Sequence, residues 1–161
     1  MRAPRFLVLT AAALTLAASL AGCSTTVALQ PAEDADNPTC ADIMVRLPGS
    51  IDGEDRRWTD AQATGAWGDP TAVILACGVT PPGPTEARCI TLGGVDWIVD
   101  ESRSPQYLVT SYGRTPAVEV LIDNEVVSSN NVLESLGPLV AGWTTVQSAC
   151  VESDTVLPDA G

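Results

Sequence analysis

Thr71-Ala72-Val73-Ile74-Leu75-Ala76-Cys77 is a β-favouring, almost wholly apolar run, introduced by the turn sequence Trp67-Gly68-Asp69-Pro70. It predicts a central strand buried on both faces, and so builds the fold around a sheet. Downstream, Pro81-Pro82-Gly83-Pro84 fits neither helix nor central strand and marks an extended loop. Residues 89–92 and 95–99 flank Gly93-Gly94, a pair able to take the positive φ angles of a tight hairpin. A second hairpin is expected between residues 107–111 and 117–122, with Val118, Val120 and Ile122 sharing the core face.

Helical signals flank these strands. Ile43, Met44, Val45 and Leu47 predict a short helix capped by Thr39 and stopped by Pro48. Val132, Leu133, Leu136, Leu139 and Val140 recur at spacings of three and four, with Asn130 or Asn131 as cap and a break or kink expected at Gly137-Pro138. Residues 49–65 are polar and turn-rich and read as surface loop. The sum is an α+β domain, a small antiparallel or mixed sheet with one or two packed helices and two disulfides.

The N-terminus carries an address. Behind Arg2 and Arg5 an uncharged stretch runs from Phe6 to Leu20-Ala21-Gly22-Cys23, the layout of an export signal ending in a bacterial lipobox, where the thiol is acylated and the leader cut off. The stretch is shorter than the roughly 20 apolar residues that span a bilayer. The expected organisation is a lipoprotein signal peptide over 1–22, a flexible tether over 23–38, a globular domain over 39–151 and a polar tail over 152–161. Cys23 would hold the domain at the extracytoplasmic face of the plasma membrane.

Charge narrows the partners. The chain has 20 acidic residues, eight basic ones and no histidine, for a net charge of −12. Losing the leader removes two arginines and no acid, which takes the mature chain to about −14. Nucleic acid would be repelled, and Arg56-Arg57 is too small a basic cluster to neutralise phosphates. All the basic residues are arginines. The lack of histidine and lysine removes the bases of serine and cysteine triads, the common transition-metal ligand and the Schiff-base amine. Neither a Gly-x-Ser-x-Gly elbow nor a phosphate-cradling glycine loop occurs. No cofactor and no metal is expected.

With Cys23 assigned to lipid, Cys40, Cys77, Cys89 and Cys150 suit two disulfides in an exported chain. Of the three possible connectivities, the favoured one joins Cys77 to Cys89 across the proline-rich loop and Cys40 to Cys150 across the ends. No Cys-x-x-Cys pair argues for zinc.

The ordered set Leu47-Pro48, Gly53, Arg56-Arg57, Ala66-Trp67-Gly68-Asp69-Pro70, Cys77-Gly78-Val79, Gly94-Val95-Asp96-Trp97, Tyr112-Gly113-Arg114 and Pro116-Ala117-Val118-Glu119-Val120 resembles an uncharacterised actinobacterial lipoprotein family, domain of unknown function 3515, over residues 40–142. The resemblance implies a secreted, usually lipid-anchored envelope protein without an assigned activity, and it brings no catalytic residue.

Candidate ligand-binding residues are Trp67, Trp97 and Tyr112, whose flat faces suit stacking on a sugar or peptide, with Trp143 beside them. Arg56, Arg57 and Arg114 could fork onto carboxylates or phosphates, or pin loops by pairing with Asp69 or Asp96. Asp69 and Asp96 could also form the acid and base of a glycosidase. The function expected is a non-catalytic binding or scaffold domain of the cell envelope, meeting an envelope protein or cell-wall glycan. The alternatives are a carboxylate-dependent hydrolase of envelope polysaccharide and an accessory subunit of an envelope transport or secretion complex.

Overall fold

The computed structural model describes residues 26–157; the leader, Cys23 and residues 158–161 lie outside them. The described chain forms strands β1 (Ser50–Ile51), β2 (Glu54–Arg57), β3 (Thr64–Trp67), β4 (Val73–Val79), β5 (Cys89–Leu92), β6 (Val95–Arg103), β7 (Gln106–Ser111), β8 (Arg114–Thr115), β9 (Ala117–Asp123) and β10 (Thr145–Val146). Its helices are α1 (Pro38–Met44) and α2 (Ser129–Trp143). Eight strands make one sheet in the order β1-β2-β3-β4-β9-β7-β6-β5, and β8 pairs with β10 in a separate ribbon. Every strand pairing is antiparallel, so the α+β class holds with an antiparallel sheet.

Both predicted hairpin regions form. Gly93 and Gly94, at φ 60° and 79°, join β5 to β6 with Leu92 opposite Val95. β7 and β9 pair from Gln106 opposite Asp123 to Thr110 opposite Glu119. Val118, Val120 and Ile122 are all fully buried. β4 is interior, as expected, but only one of its faces is sealed: Val73, Leu75 and Cys77 are buried, while Ile74 and Ala76 are half-buried. The helices lie on one side of an antiparallel sheet, so the other side meets solvent over much of its area.

The stretch read as surface loop holds β1 and β2, a hairpin turning through Asp52 and Gly53 at φ 50° and 90°. Asp-Gly is a tight-turn signal, but its strands are short, with β1 at the sheet edge, and carry mostly polar side chains, which hides the period. Asp52 also accepts from Ser128 N and from Asn131 Nδ2, tying the hairpin to the start of α2.

Both helix caps fall before the expected residues. Asn37 caps α1, its side chain accepting from Thr39 N, because Pro38 has no N–H to satisfy and fits the first helical position. Ser128, not Asn130 or Asn131, caps α2. α2 runs on through Pro138 as one helix, with Val132, Leu133, Leu136 and Val140 in the core. Next to Pro138, which is itself exposed, the helix meets the sheet at a contact of two glycines. A Cβ on Gly93 would lie 2.7 Å from the Gly137 Cα, and one on Gly137 would lie 2.6 Å from the Gly93 Cα. The β5–β6 turn therefore rests directly on the helix backbone.

The disulfides are Cys40–Cys77 and Cys89–Cys150, which corrects the expected pairing. Cys77 sits on the core face of β4 and meets α1, whereas Cys89 sits on the other face of β5, opposite Ile98. Four ladder steps separate β4 from β5 in the sheet, roughly 19 Å at the usual strand spacing. That is far beyond the roughly 7 Å between Cα atoms that a disulfide spans.

Neither end behaves as a free segment where it is described. Val27 N donates to the Trp58 carbonyl, Asp34 N to the Gly78 carbonyl, and Ala35 is buried, so residues 26–38 lie against the domain and are not a flexible tether. At the other end Thr91 N donates to the Asp154 carbonyl and Leu157 is buried, clasped at both backbone groups by the Asn130 amide. The described part of the segment read as a polar tail, residues 152–157, thus covers the exposed edge of β5.

Candidate functional site

A cleft of about 600 Å³ opens between residues 84–89, which lead into β5, and residues 149–154. The Cys89–Cys150 disulfide joins its two walls. Ile98 and the half-buried Tyr112 add an apolar lining, and the exposed carboxylates of Glu86 and Glu152 stand at the rim. Arg88 holds the walls in place: its Nε pairs with Asp154 at 3.1 Å, its Nη1 with Glu101 at 3.1 Å, and its Nη2 donates to the Val156 carbonyl. The guanidinium is thereby engaged with this chain's own carboxylates. The cleft is left acidic, with an aromatic face for stacking and acceptors for hydroxyl or cationic groups.

Cys89, Asp96 and Cys150 bring possible ligand atoms within 4.8 Å of one another. Two of the three are the sulfurs of the disulfide and supply no thiolate. Asp96 is occupied as well, accepting from Thr91 Oγ1 at 2.6 Å and from Cys150 N at 2.9 Å. Its work is to fix the far wall of the cleft onto β6.

Most of the candidates drawn from sequence are engaged in holding the fold. Trp67 and Trp97 are fully buried, their indole N–H groups donating to the Pro48 and Leu92 carbonyls, so neither offers a face to a ligand. Trp143 is 40% exposed and lies under the Arg46 guanidinium, 3.9 Å from the ring centre. Arg56 reaches the carbonyls of Met44, the last residue of α1, and of Leu47 just beyond it, and Arg57 pairs with Asp69 at 2.9 Å and donates to the Gly68 carbonyl. Asp69, in the β3–β4 turn, is separated from Asp96 on β6 by three ladder steps, roughly 14 Å, more than the spacing of about 5–9.5 Å that glycosidase carboxylates require. These two do not form a catalytic pair. Of the sequence candidates, Tyr112 alone lines the cleft as a free side chain; Arg88, Glu86 and Glu152 were missed.

Arg114 is buried. Its Nη2 donates to the Gly94 carbonyl at 2.8 Å and its Nη1 to Thr144 Oγ1 at 3.2 Å, linking the β5–β6 turn to the end of α2. Burial disfavours its charge and the Asp96 carboxylate partly restores it. Arg114→Ala should cost about 2–3 kcal/mol in urea unfolding, with Arg114→Lys recovering only part, since a single ammonium cannot reach both acceptors as the fork does.

A smaller hollow of about 230 Å³ lies on the open face of the sheet, lined by Ile74, Leu108, Leu121, Glu119 and Arg103, with Leu29 at its border. Desolvation there raises the Glu119 carboxyl above its ordinary value, opposed by a hydrogen bond from Thr110 and by Arg103. A carboxyl raised in the folded state favours folding most below its unfolded value of 4.5, and that contribution fades as the pH climbs through the folded value. Urea midpoints of Glu119→Gln should therefore gain on wild type as the pH rises from about 4 to 7. Parallel profiles would show no such linkage.

The class so defined is an antiparallel α+β domain, tied by two disulfides, with a lateral acidic cleft at one of them. The chain belongs to the family described as protein of unknown function (DUF3515), whose model matches residues 5–149. No curated protein and no solved structure matches it significantly.

Proposed function

We propose that the protein is an extracytoplasmic lipoprotein of the bacterial cell envelope, anchored through acylated Cys23, whose domain binds an envelope ligand without chemically transforming it. The observation that carries this reading is the division of labour among five cysteines. Four are joined in two disulfides, the state expected of an oxidising compartment, and the fifth closes a charged-then-apolar leader in Leu20-Ala21-Gly22-Cys23. The acidic cleft beside Tyr112 is the binding place this reading assigns, for a hydroxyl-rich glycan or a cationic peptide.

Metabolic labelling with a fatty acid tests the anchor. Wild type should incorporate label and fractionate with membranes, and Cys23→Ala should do neither. Equal labelling of the two would remove the basis of the proposal.

A further inference from the structure

Trp58 is 79% exposed, the most exposed aromatic among the described residues. An isolated apolar surface residue needs no explanation by itself. Its place in the fold does. The Trp58 carbonyl accepts from Val27 N at 2.8 Å, Asp60 N donates to the Val27 carbonyl, and Asp60 Oδ1 accepts from Leu29 N at 2.8 Å. The N-terminal segment is thus fixed beside Trp58, with Val27 bridged to Thr59.

Only three residues lie between Val27 and Cys23, so four Cα-to-Cα steps connect them. Fully extended, they reach at most about 14 Å. A lipid on Cys23 therefore starts within that reach of the segment bonded to Trp58, and the domain cannot stand off from the bilayer as a long tether would allow. The headgroup layer is about 5–8 Å deep on each side, and it is where an indole, apolar with one N–H donor, is most at home. Electrostatics do not supply the contact, because the chain from Cys23 onward, without the two leader arginines, carries a net charge of about −14 and is repelled by anionic headgroups. Arg57, the neighbouring cation, is paired with Asp69.

From these observations we propose that Trp58 inserts its indole into the headgroup layer of the leaflet that holds the acyl chains, making a second contact that sets how the domain faces the membrane. The proposal rests on the lipid anchor at Cys23. The occupant of this surface is the lipid itself.

The test separates the two ideas by supplying the anchor chemically. The chain from Cys23 onward retains every described residue and, with both disulfides formed, has one free thiol. Coupled through that thiol to a maleimide lipid in phosphatidylcholine vesicles brominated near the headgroup end of the acyl chains, wild type should lose about twice as much tryptophan fluorescence as Trp58→Ala. Trp67 and Trp97 are buried and Trp143 is common to both proteins, so the difference reads Trp58. Unchanged far-ultraviolet circular dichroism would confirm that this surface variant folds. Equal quenching in wild type and Trp58→Ala would overturn the proposal, whatever the cell does at Cys23; lack of acylation in cells would instead refute the anchor.

Discussion

Trp97→Ala lowers the unfolding free energy by about 4 kcal/mol, read as a fall in the urea midpoint with little change in slope. The side chain is fully buried on β6, where its neighbours across the ladders are Ile90 and Ser111. Truncation leaves a cavity the size of an indole and strips the Leu92 carbonyl of its donor at 3.1 Å. Since the net stability of a domain is about 5–15 kcal/mol, the variant should be marginally folded. Trp97→Phe should cost less, because the ring volume is largely kept and chiefly the hydrogen bond is lost. A Trp97→Ala protein as stable as wild type would mean that the ring is not in the core, and would reopen its role as a stacking surface.

Removing the Cys40–Cys77 disulfide with a double alanine substitution should cost about as much. The bond closes a span of 37 residues, for which the chain-entropy model gives about 4 kcal/mol. Both cysteines are fully buried, so the lost sulfurs add a packing cost to the entropic one. The effect should be large because the bond is the covalent link between α1 and the middle of the sheet. Peptide mapping of the unreduced protein checks the pairing itself, and a fragment joining Cys77 to Cys89 would contradict this topology.

These two residues also mark where the sequence was readable and where it was not. Val73, Leu75, Val118, Val120 and Ile122 announce their strands because alternate side chains enter one core, and Gly93-Gly94 announces its turn because few other pairs take those angles. Partner choice is different. Cys77 and Cys89 are near in sequence but lie on opposite faces of the sheet, four strands apart, and nothing local records that β9, β7 and β6 come between them. The ends misled for a related reason: Ala35 and Leu157 each dock through one apolar side chain and backbone hydrogen bonds, too little to create a period.

The candidate site was less legible still. Tyr112 could be chosen for its chemistry, but the cleft is made by residues 84–89 and 149–154, brought together by a disulfide whose partners are 61 residues apart. Arg88 was overlooked because its importance lies in reaching Glu101 and Asp154 at once. Trp67, Trp97 and Arg114 drew notice as residue types common in binding sites, and each turned out to spend its polar group on a backbone carbonyl within the fold.

The mass of the intact protein, taken from cell membranes without reduction, reads the processing site, the acylation of Cys23 and both disulfides at once. The expected chain begins at Cys23 and is heavier than its sequence by a lipid on that residue, with no free thiol and two disulfides. An unprocessed chain beginning at Met1, with Cys23 unmodified, would contradict it.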